Sequence, residues 1–395
     1  MKIVQINAVC GKGSTGRTTK ELSDTLNQNG IENLILSTSD FDGKNHVRVG
    51  SCLENKLHAL FARIFGYDSH YSYLSTRKII KTLKAFKPDV VHLRNLHGNY
   101  VNLPKLLKYL SKKDIATVIT LHDCWFFTGK CTHYTTQKCY KWQDNCGNCP
   151  QLKKDIPSLI FDKTSKQLQE KKKGFLSIPR LAVVGVSDWV TNEAKKSFFK
   201  DAKIIKRIYN WIDLDVFYPR EVEKNDKFTV LCIGAGWHEN SKKFKDLIKL
   251  SKILPADMEI LLAGSVSTNE PLPSNVKKVG YVSSTEDLAK LYSSVDAYVH
   301  LSREDTFGKV IAESLACGTP AIVYNSTACP ELIGEGCGYV VEVGNVNAIV
   351  ESLKEIKAKG KSYYSVDCRL NVERKFDKKY CQEENLKIYK YLINI

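Results

Sequence analysis

The sequence predicts an α/β protein built as two doubly wound halves, and three observations predict it. Short apolar runs alternate with segments of helical periodicity along a chain of 395 residues. Runs such as "DVVHLRN" and "IATVITLHD" are apolar almost throughout, as the strands of a parallel sheet covered on both faces must be. The alternation then restarts after "YNWIDLDVFYP", which places a break near residues 206–225. The length agrees, since a chain of this size ordinarily holds two domains.

The elements follow in order. "KIVQINAV" reads as a strand, "GRTTKELSDTLNQNG" as a helix closed by glycine, and "IENLILST" as a second strand. The two buried strands quoted above are separated by the helical "LPKLLKYLSKK", and "LAVVGVSD" is a further strand. In the second half "FTVLCIGAG", "MEILLAG", "VKKVGYV", "DAYVHLS", "PAIVYN" and "GYVVEV" are short strands, with helices such as "SKKFKDLIKLSKIL" between them. A helical tail, "DKKYCQEENLKIYKYLINI", is left over.

Composition bounds the function. With 43% hydrophobic and 26% charged residues the chain is an ordinary globular one. No apolar run reaches the roughly 18 residues of a membrane span, and the N-terminus has no secretory pattern, so a cytoplasmic protein is expected. A net charge of +16 raises nucleic acid or an anionic membrane as partners. The lysines are spread along helical segments such as "STRKIIKTLKAFKP" and "KTSKQLQEKKKG". Most therefore read as solvated helix faces, though a positive side turned to lipid phosphates would use the same residues.

Two short motifs tempt and fail. "VCGKGSTGRTT" is one substitution from a phosphate-binding loop, with Arg17 where the lysine belongs. Arginine does not reproduce the compact ammonium of that lysine, and only Asp123 ends a strand suitably for magnesium. In "TVLCIGAGWHEN", Gly234 and Gly236 begin a dinucleotide fingerprint whose third glycine is replaced by Glu239.

The stronger constellation is "SREDTFGKVIAESLACGTPAIVYN", residues 302–325, lying between two strands. A helix beginning near Phe307 or Gly308 carries Glu313 one to two turns inside. Glycine at a helix start lets a ligand approach unpaired N–H groups, where the positive dipole end attracts phosphate. Carboxylates flanking such a loop accept hydrogen bonds from sugar or ribose hydroxyls. Phosphates beside polyhydroxylated rings are what a nucleotide-sugar site must hold.

This string resembles the signature of the retaining nucleotide-sugar glycosyltransferases of family 4, whose GT-B architecture is two Rossmann-like domains facing a cleft. Their signature is Glu-x7-Glu in a Glu-x-Phe-Gly…Glu-Ala-x-Ala-x-Gly-x-Pro context. In register with Phe307 and Gly308, the first acid is Asp305 and the second Glu313, with Glu304 next to Asp305 as the alternative first acid. The resemblance extends over nearly the whole chain. Asn210, Asp213, Phe217 and Pro219 match the family's entry to its second domain. Lys242 matches its diphosphate-binding lysine, with Lys243 one place off. The family's arginine some six residues earlier has no counterpart, because Gly236 and Trp237 stand there; Arg207 or Lys206 is offered in its place.

The resemblance implies further roles. "VGYV", with Gly280 and Tyr281, holds the nucleobase through its backbone. Phe307, Gly308, Lys309 and Val310 bring N–H groups to the phosphates. His122, in "VITLHDCW", points at the transferred sugar, and the turn through Gly11, Gly16 and Arg17 faces the donor phosphate or the acceptor. The domains are then 1–206 on the acceptor side, 207–377 on the donor side, and a helix at 378–395 that returns to the first domain. The implied catalytic residues are His122, Asp305 and Glu313. The implied reaction moves a hexose from a nucleotide diphosphate sugar, UDP first and GDP second, to a glycan or lipid-linked acceptor, without a catalytic metal and without nucleic acid. The protein would work at the inner face of the plasma membrane. A silent scaffold that kept the fold is the alternative, since the arginine is missing and aspartate replaces the first glutamate.

Thirteen cysteines remain. Nine are scattered and read as small core residues. Four, Cys131, Cys139, Cys146 and Cys149, follow a C-x7-C-x6-C-x2-C spacing in an insertion at about 124–150. Four thiolates make a closed tetrahedral zinc site, so structural zinc is expected, with His133 as a spare ligand and reduced thiols or disulfides as the alternatives. A zinc-ribbon nucleic-acid protein is disfavoured by the α/β pattern around the cluster.

Overall fold

Seven parallel strands form the first sheet: β1 (Lys2–Ile6), β2 (Glu32–Ser37), β3 (His46–Arg48), β4 (Val90–Leu93), β5 (Ala116–Leu121), β6 (Leu181–Gly185) and β7 (Ile204–Arg207). Their spatial order is β3-β2-β1-β4-β5-β6-β7. The structure is a computed structural model that describes residues 1–223 and 225–395. Six helices belong with this sheet: α1 (Gly13–Gln28), α2 (Cys52–Phe65), α3 (Tyr73–Phe86), α4 (Leu103–Lys112), α5 (Thr164–Leu176) and α6 (Asp188–Lys196). Strands β4, β5 and β6 are buried at every position, as their unbroken apolar runs require.

The second sheet holds β8 (Phe228–His238), β9 (Met258–Ser267), β10 (Val276–Gly280), β11 (Ala297–His300), β12 (Ala321–Tyr324) and β13 (Gly338–Val341), in the order β10-β9-β8-β11-β12-β13. Its helices are α7 (Lys242–Ile253), α8 (Thr285–Ser294), α9 (Lys309–Ala316), α10 (Cys329–Leu332), α11 (Val346–Lys359) and α12 (Lys361–Phe376). The last helix, α13, runs Lys378–Ile393. The chain divides into one unit of Met1–Ile208 with Gln382–Ile395 and another of Tyr209–Cys381. Most of α13 thus belongs to the first unit, where the buried His92 ring bonds the Tyr389 hydroxyl and Thr120 Oγ1, both at 2.6 Å.

Both sheets reverse direction of growth once, between β1 and β4 and between β8 and β11. In doubly wound sheets the crevice for ligands opens outside the strand carboxyl ends at such a point. The local differences from the sequence reading are informative. Helix α1 begins at Gly13, so Gly16 lies inside it and not in a loop. Strand β8 runs through Gly234 and Gly236 to His238, pairing with β9 across a register shift between Ile233 and Gly236. A dinucleotide fingerprint would turn into a helix there. These glycines serve a bulge instead: a Cβ on Gly264, at φ +115°, would lie 1.8 Å from the Gly234 carbonyl oxygen. Edge strands β3 and β7 and helices α2, α11 and α12 were not anticipated.

Candidate functional site

The second unit's switch point is built from the loop between β11 and α9. Gly308 caps α9 with φ +85° and ψ +56°, and as glycine it brings no side chain of its own to the helix's first N–H groups. A side chain at 308 would be strained by the left-handed φ and would meet Ile311 Cδ1 at 2.7 Å. Phe307 anchors the loop by packing on Phe376, with ring centroids 5.3 Å apart. Lys309 is buried and Val310 half-buried.

The acids of the loop behave differently. Asp305 Oδ2 lies 2.7 Å from His300 Nε2, and His300 Nδ1 lies 2.8 Å from the Tyr298 hydroxyl. The Thr327 hydroxyl accepts the Asp305 N–H at 2.9 Å. Half-buried Glu304 offers its carbonyl to Ser302 Oγ at 3.2 Å. Glu313 is fully buried, with the Tyr292 hydroxyl 3.5 Å away.

The two lysines sit differently on α7. Lys242 opens α7 and is exposed. Lys243 is half-buried, with Nζ 4.9 Å from the Trp237 ring centroid. Burial pushes the Lys243 ammonium below its ordinary pKa, and the Asp305 charge opposes that. Lys243, not Lys242, therefore shares the electrostatic environment of the first motif acid. His300 and Arg303, which pairs with Asp246 at 2.6 Å, went unremarked in the sequence. Alternation places His300 at a strand end, a signal that could have found it. Gly280 ends β10 at φ +84° with open space around it, and Tyr281 beside it is exposed.

His300, Asp305 and Cys329 are the one set of three ligand atoms within 4.8 Å among the described residues. Burial holds the Cys329 thiol well above its ordinary pKa.

In the first unit the loop after β1 is held from within. Asn7 Nδ2 donates to Val9 O at 2.8 Å, Thr15 O at 3.3 Å and Thr19 Oγ1 at 2.9 Å. The Gly11 N–H donates to Gly16 O at 3.0 Å, and Gly11 takes φ +72°. Arg17 is half-buried on α1. Asp123 is taken up elsewhere: it accepts from His97 at 2.6 Å and from the Trp125 N–H at 2.8 Å. Burial disfavours a charged His97, yet Asp123 raises its pKa above the ordinary value, and the pairing holds Asp123 below its own. Sequence reasoning also passed over Arg94, a buried guanidinium that donates to Thr18 Oγ1 at 3.1 Å and to His122 Nε2 at 3.4 Å. With Nε2 accepting, the His122 proton sits on Nδ1. Arg94 Nε is buried without a partner. Next to this region Arg63, Asp68, His97, Asn99 and Asp155 line a cavity of about 240 Å³.

The four clustered cysteines line one small cavity with Trp142 and Tyr134. All thirteen cysteines are free, and of the nine outside the cluster only Cys52 is exposed. Cys131 and Cys149 hydrogen-bond, which draws the Cys149 thiol down to about 6. N–H groups of Gly129 and Gln151 point at Cys146 and Cys149. The buried Lys130 ammonium fastens the insertion by donating to Leu152 O at 3.1 Å, Lys154 O at 2.8 Å and Ile156 O at 2.6 Å.

Comparison with known proteins bears on both halves. Residues 217–367 match the family described as Glycosyl transferases group 1, and residues 15–154 match Glycosyltransferase Family 4. WcaC of Escherichia coli K12, assigned to colanic acid biosynthesis as a glycosyl transferase, is 24% identical over 378 residues, covering 90% of each chain. Among solved structures, sucrose-phosphate synthase from Thermosynechococcus elongatus superposes with TM-score 0.71 at 16% identity, over 100% of this chain and 99% of that one. HepE of Anabaena, in complex with UDP-glucose, gives TM-score 0.65 at 15% identity, covering 100% of both chains.

Proposed function

We propose a donor, a set of site residues and a reaction course for this chain, which belongs to the family 4-like glycosyltransferases of the GT-B fold. The reaction moves a hexose from a nucleotide diphosphate sugar, UDP-sugar first and GDP-sugar second, to a hydroxyl of a glycan or lipid-linked acceptor in surface polysaccharide synthesis. The resemblance to WcaC supports the pathway class, and the UDP-glucose held by HepE supports the nucleotide.

One observation carries the reading. At the β8/β11 switch point a helix N-terminus capped by an αL glycine, a carboxylate and a half-buried ammonium converge. The α9 N–H groups and Lys243 would meet the diphosphate, and Asp305, oriented by His300, the sugar hydroxyls. Glu313 is the proposed ribose ligand once uncovered, and the backbone at Gly280 and Tyr281 the base ligand. Glu304, Lys242 and the Gly16–Arg17 turn are secondary candidates. In the first unit His122, its tautomer set by Arg94, is the proposed sugar-facing group. The anomeric C–O bond to the β-phosphate breaks and the acceptor oxygen bonds the same face. Its proton passes to the departing phosphate oxygen, giving retention. Stabilising that leaving diphosphate is the main catalytic lever.

The four thiols line one cavity, although no three of them lie within 4.8 Å of one another; a structural zinc ion at Cys131, Cys139, Cys146 and Cys149 would draw them together. Metal analysis of the purified chain is expected to return one zinc per chain, lost in Cys146→Ser; four readily titrated thiols and no zinc would end that part.

Calorimetry with UDP, GDP, ADP, CMP and TDP, without magnesium, tests the main reading. One diphosphonucleoside is expected to bind and to bind less tightly in Lys243→Ala. Binding of ATP with magnesium alone, or of nothing, sinks it. Donor binding without turnover would select the silent scaffold, which the glycine at 236 favours.

A further inference from the structure

Among the described residues, ten of 24 exposed large apolar side chains fall in three short stretches of the first unit. Helix α2 contributes Leu53, Leu57, Leu60, Phe61 and Phe65, from 39% exposed at Phe61 to 69% at Leu53. At 100° per residue, Leu53, Leu57, Leu60 and Phe61 fall within an arc of about 100°. The start of α3 adds Tyr73 and Leu74, and the loop before α5 adds Leu159, Ile160 and Phe161.

The three stretches are one surface. The Leu159 N–H donates to Arg63 O at 2.7 Å. Gly66, which ends α2 at φ +78°, lies so close to Phe161 that a Cβ there would meet its carbonyl oxygen at 2.3 Å. The Glu54 carboxylate accepts the N–H of Leu74 at 2.8 Å. Monomers rarely leave contiguous apolar patches beyond a few hundred Å², and larger ones mark interaction sites.

The α2 edge of this face is cationic, while the two carboxylates near it are hydrogen-bonded to neighbouring backbone. Glu54 is spent on α3, and Asp162 accepts from the Cys149 N–H at 2.7 Å and the Thr164 N–H at 2.9 Å. Lys56 and Arg63 are exposed along one edge of the apolar arc, and Lys163 sits over the Phe161 ring at 5.5 Å. Among the described residues no helix is long and apolar enough to cross a membrane. A helix with an apolar stripe and a cationic edge lies in an interface instead. A second copy would set cationic rim against cationic rim, whereas lipid phosphates complement it.

We propose that the face formed by α2, the start of α3 and residues 159–161 docks on an anionic lipid bilayer. The wall of α2 that carries Ala59, Ala62 and Arg63 also closes the 240 Å³ cavity, so docking would hold that cavity's mouth near the headgroups. The inference stands apart from the transferase reading, because lipid binding requires no donor.

Vesicle flotation of the full chain tests it, with phosphatidylcholine alone against phosphatidylcholine containing one third phosphatidylglycerol. The wild type is expected to float with the anionic vesicles and to be released by salt. Leu60→Glu with Phe61→Glu, and separately Lys56→Glu with Arg63→Glu, are expected to weaken binding at least about tenfold. Tyr363→Glu with Val366→Glu, on exposed α12 positions of the other unit, should float as the wild type does. Hydrolysis of a soluble donor by Leu60→Glu with Phe61→Glu should stay unchanged, which separates loss of docking from loss of the enzyme. Equal flotation of all variants, or none by the wild type, overturns the proposal. So does a dimer seen by light scattering that Leu60→Glu with Phe61→Glu disperses while vesicles bind nothing.

Discussion

At the β1/β4 switch point of the first unit a buried guanidinium, Arg94, donates to the Thr18 hydroxyl and the His122 ring, with the Glu21 charge acting on it. At the β8/β11 point of the second unit a carboxylate, Asp305, is met by His300, and its charge reaches the half-buried Lys243. The strand order around both points is the same. Topology supplies two equivalent crevices, and the side chains at the strand ends decide what each can do. A guanidinium with a buried, unpartnered Nε fixes an imidazole tautomer and leaves one donor over. A carboxylate and an ammonium around a glycine-capped helix can take hydroxyls and phosphates together.

The sharpest way to break this comparison is Asp305→Asn. If the second crevice is the charged centre, turnover should fall by on the order of 10²-fold or more, with nucleotide affinity and thermal midpoint little changed. Steady-state transfer or donor hydrolysis reads it out. Wild-type kcat in Asp305→Asn would leave Glu304 as the acting acid.

Asp123→Asn probes the first unit on stability instead. His97 and Asp123 form a largely buried pair at 2.6 Å, and removing one partner should cost about 2–4 kcal/mol. The pKa of His97 is raised, so its share is complete below 6.5 and is lost as pH climbs through the raised value. That of Asp123 is depressed, so its share is present above 3.8 and is lost as pH falls through the depressed value. Urea melts across pH should show the wild-type advantage over Asp123→Asn widest between those limits. An advantage that is flat with pH would mean the pair is not ionic.

A smaller effect separates the two lysines. Lys243→Ala should weaken diphosphonucleoside binding about tenfold, and Lys242→Ala by no more than about twofold to threefold, because an exposed ammonium is screened. Calorimetry that ranked them the other way would restore the register read from the sequence.

That reversal shows where the sequence stopped being legible. Unbroken apolar runs gave the strands, and glycine before an apolar turn gave the α9 start to within two residues, because periodicity and φ preference are local. Which of two adjacent lysines turns inward is not local. It depends on where the β8 bulge sets Trp237, and that depends on Gly264 lying against Gly234. Arg94 was hidden for the same reason: its partners Thr18 and His122 lie far from it in sequence. The apolar stripe of α2 was legible in "CLENKLHALFARIF" but was passed over, since its exposure is a tertiary fact.

The smallest expected effect bears on the glycine turn of the first unit. If that turn were a phosphate-wrapping loop, Gly16 would face the phosphate, and a methyl there would abolish nucleotide binding. In the structure Gly16 is the fourth residue of α1, and its Cβ would sit 3.2 Å from Val9 Cγ2 and 3.3 Å from the Cys10 carbonyl carbon. Alanine inside a helix gains up to about 1 kcal/mol over glycine, and the tight contact with backbone returns a similar amount. Gly16→Ala should therefore lie within about 1 kcal/mol of the wild type in a urea melt, and its diphosphonucleoside affinity should change less than about threefold. Loss of a magnesium-dependent ATP signal in this variant would put the charged centre back in the first unit and reverse the comparison.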